Sequence, residues 1–351
     1  MTIAVIDVKT HSLITTIPVG TGLFDTYGMA ITPDGKLVYV TTLPDSISVI
    51  DVKTHSIIAT VPVDDNPIDV AFTPNGKLAY VTNPFSKKIF VIDVNTHSLI
   101  SSIQVSRNPF IVDISPNGKL AYVTNKDFQG IEPNTISVID VKTHLLIDTI
   151  EFAVTDNLLD ISFSPDGNIV YAVGNSPTSN VFAIDTDTHS VIATIVAGDS
   201  PFRVKFTPDG KLAYVINRGD VSVSVIDVKT HSVVANIPVE ILTGTIDFSP
   251  DGKLAYVTNE TTGNSLTVID VKTHSVIANI SIPFGQSDVI FTPDGKLAYV
   301  TNSININEGF VSVVDVKTHT VIATVQINFQ PNTILFTPDG KLAYVSQLPI
   351  G

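Results

Sequence analysis

The chain has 351 residues but contains no cysteine, no tryptophan and only two methionines. Without cysteine it has no disulfide, no thiolate metal ligand, no cysteine-linked haem and no cysteine nucleophile. Its apolar residues are dispersed, and no run approaches the 18 apolar residues of a transmembrane helix, so we expect no membrane insertion. Met1 leads directly into a strand-like segment without a charged and apolar leader, so we expect no signal peptide in this chain.

Histidine is restricted to one repeated turn, whose fullest form is Asp-Val-Lys-Thr-His. The eight copies end at His11, His55, His97, His144, His189, His231, His274 and His319. They alternate strictly with eight Pro-Asp-Gly or Pro-Asn-Gly turns, whose glycines are Gly35, Gly76, Gly118, Gly167, Gly210, Gly252, Gly295 and Gly340. A period of about 43 residues built from short strands and tight turns is typical of four-stranded propeller blades.

One repeat contains two predicted hairpins. In residues 202–239, an apolar strand meets the turn at Pro208, a second strand follows, and a third and fourth flank the turn ending at His231. Val, Ile, Thr, Tyr and Phe dominate these strands, and glycine or a residue that tolerates a left-handed backbone occupies each turn. The sequence therefore predicts an all-β fold, with four antiparallel strands, named a to d in chain order, in each blade.

The ends of the chain predict how the ring closes. The first 19 residues form a c–d pair and residues 332–346 form an a–b pair. Joining them completes an eight-bladed β-propeller and leaves no open sheet edge between the first and last blades. We expect residues 1–351 to form one domain, with a closing blade made of residues 1–19 and 332–346.

The two faces of the ring differ in sequence. Antiparallel order places the a–b and c–d turns at one end of each blade, where the repeats are nearly identical. The b–c and d–a loops lie at the other end and vary in length and content, and such loops on a rigid scaffold commonly carry binding sites. We call these the invariant face and the variable face.

Four strings in the b strands resemble the YVTN family of β-propeller repeats. They occupy residues 79–83, 121–125, 255–259 and 298–302, each reading Ala-Tyr-Val-Thr-Asn after the a–b turn. The resemblance covers the whole chain and implies a propeller of the kind found in surface-layer and other envelope proteins. It thus implies a secreted or cell-surface location. Relatives in the wider group include lactonases, lyases and haem-binding enzymes, and the fold alone does not choose among them.

Charge is distributed unevenly over the repeat. The formal net charge is −14, from 34 acidic and 20 basic residues. Basic and acidic residues nearly balance within the two repeated turns. The excess of acids therefore lies in the residues that differ between the copies, and many of these are in the variable-face loops. An acidic face repels phosphate backbones, which disfavours nucleic acid as a partner and favours cations or basic proteins. Acids that only keep the ring soluble would give the same pattern.

The a strands carry the polar residues that differ most between copies, seven and five positions before each turn glycine. Because strand a lines the central channel, these residues predict a site for a hydrated cation or a small polar ligand. The candidates are Asp69, Asp160, Asp288 and Arg203 at the mouth, and Asp113, Asp247 and Lys205 deeper inside. A channel filled with water and balanced by salt bridges is the alternative. The basic neighbours argue against a calcium cage, which requires converging oxygen ligands.

Aromatic and basic residues outside the repeat pattern predict a contact surface for a protein or a glycan. The candidates are Tyr27, Phe110, Phe202, Arg107 and Arg218. Aromatic and arginine side chains commonly carry interface energy.

The histidines argue against catalysis. All eight lie in c–d turns on different blades, too far apart to share one metal, so we expect no metal site and no cofactor. The sequence favours a non-catalytic binding or structural propeller whose candidate partners are a protein, a glycan or a cation, and we expect a monomer. The alternative is a hydrolase or lyase that uses channel carboxylates, with Asp113 and Asp160 or Asp247 and Asp288 as pairs on adjacent blades.

Overall fold

The computed structural model describes residues 1–20, 28–175, 180–239, 243–259 and 265–348. It contains eight four-stranded antiparallel sheets, which we number I to VIII around the ring. Among the residues that it describes, no helix has the length and apolar character needed to span a bilayer. The predicted all-β, eight-bladed propeller is confirmed.

The chain begins with β1 (Thr2–Asp7) and β2 (Ser12–Pro18). Blade I contains β3 (Met29–Ile31), β4 (Leu37–Thr42), β5 (Ser46–Asp51) and β6 (Ser56–Pro62). Blade II contains β7 (Asp69–Phe72), β8 (Leu78–Asn83), β9 (Lys88–Asp93) and β10 (Ser98–Gln104). Blade III contains β11 (Asn108–Ile114), β12 (Leu120–Lys126), β13 (Thr135–Asp140) and β14 (Leu145–Glu151). Blade IV contains β15 (Leu158–Phe163), β16 (Ile169–Gly174), β17 (Asn180–Asp185) and β18 (Ser190–Val196).

Blade V contains β19 (Pro201–Phe206), β20 (Leu212–Asn217), β21 (Ser222–Asp227) and β22 (Ser232–Pro238). Blade VI contains β23 (Thr243–Phe248), β24 (Leu254–Asn259), β25 (Ser265–Asp270) and β26 (Ser275–Ser281). Blade VII contains β27 (Gly285–Phe291), β28 (Leu297–Asn305), β29 (Glu308–Asp315) and β30 (Thr320–Ile327). The last two strands of the chain are β31 (Pro331–Phe336) and β32 (Leu342–Gln347).

Blade VIII is built from both ends of the chain. Its strand order is β2-β1-β32-β31, and β1 pairs antiparallel with β32 along its whole length, with Val5 opposite Tyr344. The ring therefore closes as predicted, by two N-terminal strands joining two C-terminal strands.

The core lies between blades. Strands b and c are buried along most of their length, whereas each outer strand d exposes its first residues. In six blades the buried tyrosine of strand b packs against a phenylalanine of the next blade, as Tyr122 does with Phe163 at 5.1 Å between ring centroids. Each apolar cluster spans two neighbouring sheets. Stability is thus shared among interfaces between neighbouring blades.

The turns of the invariant face have the predicted backbone conformations. The eight turn glycines have φ between 67° and 76°, and the eight histidines have φ between 51° and 57°. In the c–d turn of blade V, Asp227 Oδ1 accepts the backbone N–H of Thr230 at 2.8 Å, as its position before the turn predicts. A side chain at Gly35 would also collide with Pro338 of the preceding blade, because an added Cβ would lie 2.7 Å from its Cδ. Glycine is needed there for both reasons.

The histidines have a structural role that the sequence did not predict. Each Nδ1 forms a hydrogen bond with the hydroxyl of a b-strand tyrosine in the preceding blade, at 2.7–3.1 Å. The pairs are Tyr39 with His97, Tyr80 with His144, Tyr122 with His189, Tyr171 with His231, Tyr214 with His274, Tyr256 with His319, Tyr299 with His11 and Tyr344 with His55. These bonds satisfy otherwise buried tyrosine hydroxyls and link all eight blades in a circle.

Candidate functional site

The central channel is lined by the a strands. In most blades the strand has a register shift near the residue seven positions before the turn glycine, as between Leu158 and Asp160 in β15. A hydroxyl from strand b accepts the backbone N–H at this point, for example Thr124 Oγ1 from Ile111 at 3.1 Å. A bulge of this kind redirects the side chain at its position. The threonine of the repeated Tyr-Val-Thr string therefore helps to shape the channel.

The channel aspartates bind the backbone of the neighbouring blade. Asp69 Oδ1 accepts the N–H of Val70 at 2.9 Å, and its Oδ2 accepts the N–H of Val112 in blade III at 3.0 Å. Equivalent cross-blade bonds of 2.8–3.1 Å join Asp113 to Phe163, Asp160 to Val204, Asp247 to Phe291 and Asp288 to Ile334. We call each such aspartate a carboxylate clamp. All five predicted acidic candidates are clamps, so part of their hydrogen-bonding capacity is already used within the protein.

Burial changes the protonation of the clamps. It raises the pKa of Asp69, Asp160 and Asp288 above the ordinary range, and it raises the pKa of Asp113 to about 6. Backbone N–H bonds oppose the effect in all four, and the positive charge of Arg203 is the largest opposing influence on the pKa of Asp160. Desolvation disfavours the charged form of each acid, whereas N–H donors and nearby cations favour it.

Strand β19 carries cations where other a strands carry clamps. Arg203 and Lys205 stand seven and five positions before Gly210, the two registers at which the aspartates occur in other blades. Lys205 Nζ lies 2.5 Å from Asp247 Oδ1 and so links blades V and VI by an ion pair. The sequence predicted both cations at the channel, and the structure places both there.

A cavity of about 520 Å³ opens at the mouth of the channel. Its charged lining residues are Lys126, Arg203, Asp69 and Asp160, and the rings of Phe110 and Phe202 line it together with apolar and uncharged polar side chains. Lys126 Nζ lies 3.7 Å from the centroid of the Phe110 ring, and burial lowers the pKa of Lys126 to about 8. Within the residue ranges that the structure describes, neither Lys126 nor Arg203 forms an ion pair.

A second cation–aromatic contact lies at the same mouth. The guanidinium carbon of Arg218 is 3.3 Å from the centroid of the Phe202 ring, and that of Arg203 is 5.4 Å from it. Such contacts hold a cation over an aromatic face. Phe110 and Phe202, predicted as partner-binding residues, thus form the two aromatic walls of the mouth cavity.

A deeper cavity of about 300 Å³ continues from the mouth, because both cavities share Asp160, Arg203 and Thr333. Lys205 and Asp288 also line the deeper one. Its remaining polar lining comes from hydroxyl groups of the a strands. The channel interior therefore combines cations, hydroxyls and clamped carboxylates.

Other predicted candidates lie elsewhere. Asp113 and Asp247 line neither of these two cavities. Arg107 forms an ion pair with Glu132, with 2.9 Å between Nη2 and Oε2, on the variable face. Tyr27 lies outside the described residues. The described residues bring together no group of three or more His, Cys, Asp or Glu side chains suited to a metal ion.

Lys126 is the residue at this site that the candidate set omitted. It directly follows the Ala-Tyr-Val-Thr-Asn string of blade III, where the equivalent residues of blades II and VII are Pro84 and Ser303. In the sequence, Lys126 is distinguished as one of the few lysines outside the repeated turns. That signal did not show that the side chain would fold over Phe110.

The fold and the channel define the chain as a β-propeller. The chain belongs to the family described as Lactonase, 7-bladed beta-propeller, whose model matches residues 29–206, just over half of its length. The ring has eight blades rather than the seven of that description. A second family model, described as Cytochrome D1 heme domain, matches residues 169–289.

Solved structures show the same fold. The structure described as dihydro-heme d1 dehydrogenase NirN in complex with DHE is 18% identical, with a TM-score of 0.81 over 97% of this chain and 76% of that one. Kuenenia stuttgartiensis hydrazine synthase is 24% identical, with a TM-score of 0.65 over 85% and 97%. A functionally unknown protein from Desulfotomaculum acetoxidans is 18% identical, with a TM-score of 0.64 over 93% and 100%. No curated protein sequence matches this chain.

Proposed function

We propose that the chain is a non-catalytic binding propeller that takes a small organic anion at the mouth of its channel. The observation that carries the proposal is the pair of cations without ion-pair partners among the described residues, Lys126 and Arg203, in a cavity with two aromatic walls. Ligand pockets of this type are mostly apolar and hold a few convergent polar groups, and their volumes run from roughly 300 to 1,000 Å³.

The clamps support an anion over a cation. Each clamp carboxylate accepts at least one backbone N–H from the next blade, and a metal ion would have to compete with these bonds. A hydrated cation in the channel, favoured by the acidic composition, would also lie beside Arg203 and Lys205. Repulsion from these two side chains opposes it.

Strand β19 supports the same conclusion. Arg203 and Lys205 occupy the clamp registers at the junction between blades V and VI. Lys205 pairs with Asp247 across this junction, whereas Arg203 forms no ion pair among the described residues. Departures from a repeated structural rule often mark functional positions. We infer that Arg203 serves ligand binding more than ring assembly.

The ligand class follows from the lining. The carboxylate of the ligand would bind Lys126 and Arg203. Its flat apolar part would pack between Phe110 and Phe202. The NirN structure is described as a complex with DHE, which supports an organic ligand in a propeller of this fold. The resemblance to YVTN propellers supports a secreted or cell-surface setting, which protease treatment of intact cells would test.

A thermal-shift screen tests the proposal. We expect 2-naphthoate to raise the melting temperature and Ca²⁺ or Mg²⁺ to leave it unchanged. The variant Arg203→Thr takes the residue that blades VI and VIII carry at the same register, so it should fold but lose most of the shift. Lys36→Thr, which removes an exposed cation from the invariant face, is the matched control and should bind normally.

The opposite pattern would contradict the proposal. Stabilisation by divalent cations that disappears in Asp69→Asn with Asp288→Asn would show a cation site instead. The pH dependence gives a further check, because the pKa of Lys126 is about 8. Lys126 is charged below that pH, so binding should weaken as the pH rises from 7 to 9.

An enzymatic role is a second candidate because the family description names lactonases. Asp113 has a pKa of about 6, which suits a general base near neutral pH. Its two oxygens bond to the N–H groups of Ile114 and Phe163, however, and it lies outside both cavities. Lactone hydrolysis by the wild type that Asp113→Asn abolishes would favour the enzyme. The absence of hydrolysis across a panel of lactones would favour the non-catalytic binding propeller.

A further inference from the structure

Three large apolar side chains stand exposed on the variable face of blades II and III. Phe85 is 66% exposed, Phe128 55% and Ile131 69%. The two phenyl rings come from different blades and lie 6.4 Å apart between centroids, so they form one continuous patch. We call these three residues the aromatic patch. Exposed apolar patches of this kind commonly mark interaction sites.

The loop that carries Phe128 and Ile131 is held in a fixed shape. Asp127 Oδ2 accepts the N–H of Ile131 at 2.8 Å and that of Glu132 at 2.9 Å. Glu132 in turn pairs with Arg107. The apolar side chains are therefore exposed by an ordered turn.

The loop that carries Phe85 is held in a similar way. Asn83 Oδ1 accepts both the backbone N–H and the hydroxyl of Ser86, at 3.2 and 2.9 Å. Asn108 Nδ2 from blade III donates to the carbonyl of Pro84 at 2.8 Å. Both halves of the patch are preorganised, which lowers the entropy cost of binding a partner.

Acidic residues adjoin the patch. Asp45, Asp64, Asp65 and Phe85 line a surface depression of about 420 Å³ between blades I and II. Lys88 pairs with Asp64, with 2.7 Å between Nζ and Oδ2, and the other two carboxylates have no ion pair within the described part of the chain. The field beside the patch is therefore negative, and it attracts a basic group.

We propose that the aromatic patch and the adjoining depression dock a protein segment that carries a lysine or arginine close to an apolar residue. The basic side chain enters the depression beside Asp45 and Asp65, and the apolar one packs on Phe85 and Phe128. A second copy of the chain is a poor occupant because each copy has a net charge of −14. This site is separate from the channel mouth and does not depend on the anion proposal.

A displayed library of random decapeptides provides the test, with counter-selection on the variant Phe85→Ser with Phe128→Ser. We expect the enriched peptides to contain lysine or arginine near an aliphatic or aromatic residue. Because the protein contains no tryptophan, a tryptophan added to an enriched peptide reports binding by its own fluorescence without tryptophan emission from the protein.

Substitutions then test the contributions of the aromatic patch and of the acidic depression separately. Phe85→Ser should weaken peptide binding at least roughly tenfold, as expected for an aromatic anchor. Asp45→Asn with Asp65→Asn should weaken it less and reduce its dependence on salt. Ile304→Ser removes an exposed apolar side chain from blade VII and is the matched control, with no expected effect. All these positions are at the surface, and an unchanged melting temperature confirms that each variant folds.

Four outcomes would overturn the proposal. The first is no enrichment over the counter-selected variant, and the second is enrichment of peptides without basic residues. The third is binding of oligosaccharides through Phe85 in the absence of peptide binding, which would make the patch a glycan platform. The fourth is self-association in sedimentation that Phe85→Ser abolishes, which would make it a contact between copies.

Discussion

The substitution Asp113→Asn tests the electrostatics of the channel wall. Asp113 accepts the N–H groups of Ile114 and Phe163, yet burial raises its pKa from about 3.8 to about 6. Asparagine resembles the protonated acid, because it has one carbonyl acceptor and one donor group in the same shape. The comparison therefore isolates the cost of the buried charge.

The size of the effect on the free energy of unfolding follows from the difference in the pKa of Asp113 between the unfolded and the folded protein. Below pH 3.8 the carboxyl is protonated in both states, and the charge imposes no cost. Between pH 3.8 and 6 the unfolded chain loses the proton first, so stability falls as the pH rises. Above pH 6 the full penalty is present, about 3 kcal/mol for roughly two pKa units.

Urea denaturation at several pH values measures the effect. We expect Asp113→Asn to match the wild type near pH 4 and to exceed its free energy of unfolding by about 3 kcal/mol at pH 7.5. All other groups titrate in both proteins, so the difference curve reports on Asp113 and its coupling to neighbouring acids. A flat difference curve, with the variant less stable at every pH, would refute the reasoning. It would show that the two N–H bonds outweigh the cost of burial.

Three further predictions concern the ring. Deleting residues 1–19 removes two strands of blade VIII, and we expect a large fall in melting temperature; an unchanged value would refute closure of the ring. Tyr122→Phe and His189→Ala should each cost about 1 kcal/mol, and a double-mutant cycle should show that the losses are not additive, because both remove one hydrogen bond. Gly118→Ala should lower the free energy of unfolding, measured by urea denaturation, by more than about 1 kcal/mol, because φ is 68° and the added Cβ would lie 3.2 Å from Pro74. A smaller loss would mean that the turn can change shape.

The sequence was sufficient for the architecture because each local signal recurs eight times. The turn glycines and histidines fixed the positions of hairpins, and the order of strands at the two ends required closure in blade VIII. The partner of each histidine was not predictable in the same way. His144 and Tyr80 are 64 residues apart, and their contact depends on how far one blade is rotated against the next.

The channel site was predictable only in part. Counting from the turn glycines assigned Asp69, Asp160, Asp288 and Arg203 to the mouth. The first two acids and Arg203 line the mouth cavity, whereas Asp288 lines the deeper one. The same count could not show that Asp160 bonds to the N–H of Val204 in the next blade, because a contact between blades leaves no periodic signal within one copy. Lys126 was missed because it lies on strand b, outside the a-strand pattern, and reaches the mouth by folding over Phe110.

The most direct measurement of the central claim is anomalous diffraction from crystals grown with 4-iodobenzoate. We expect an iodine peak in the mouth cavity between Phe110 and Phe202, with density for the carboxylate facing Lys126 and Arg203. A cavity that stays empty at saturating 4-iodobenzoate, while Mn²⁺ gives an anomalous peak beside Asp69 or Asp288, would contradict the account. It would show that the channel is a cation site.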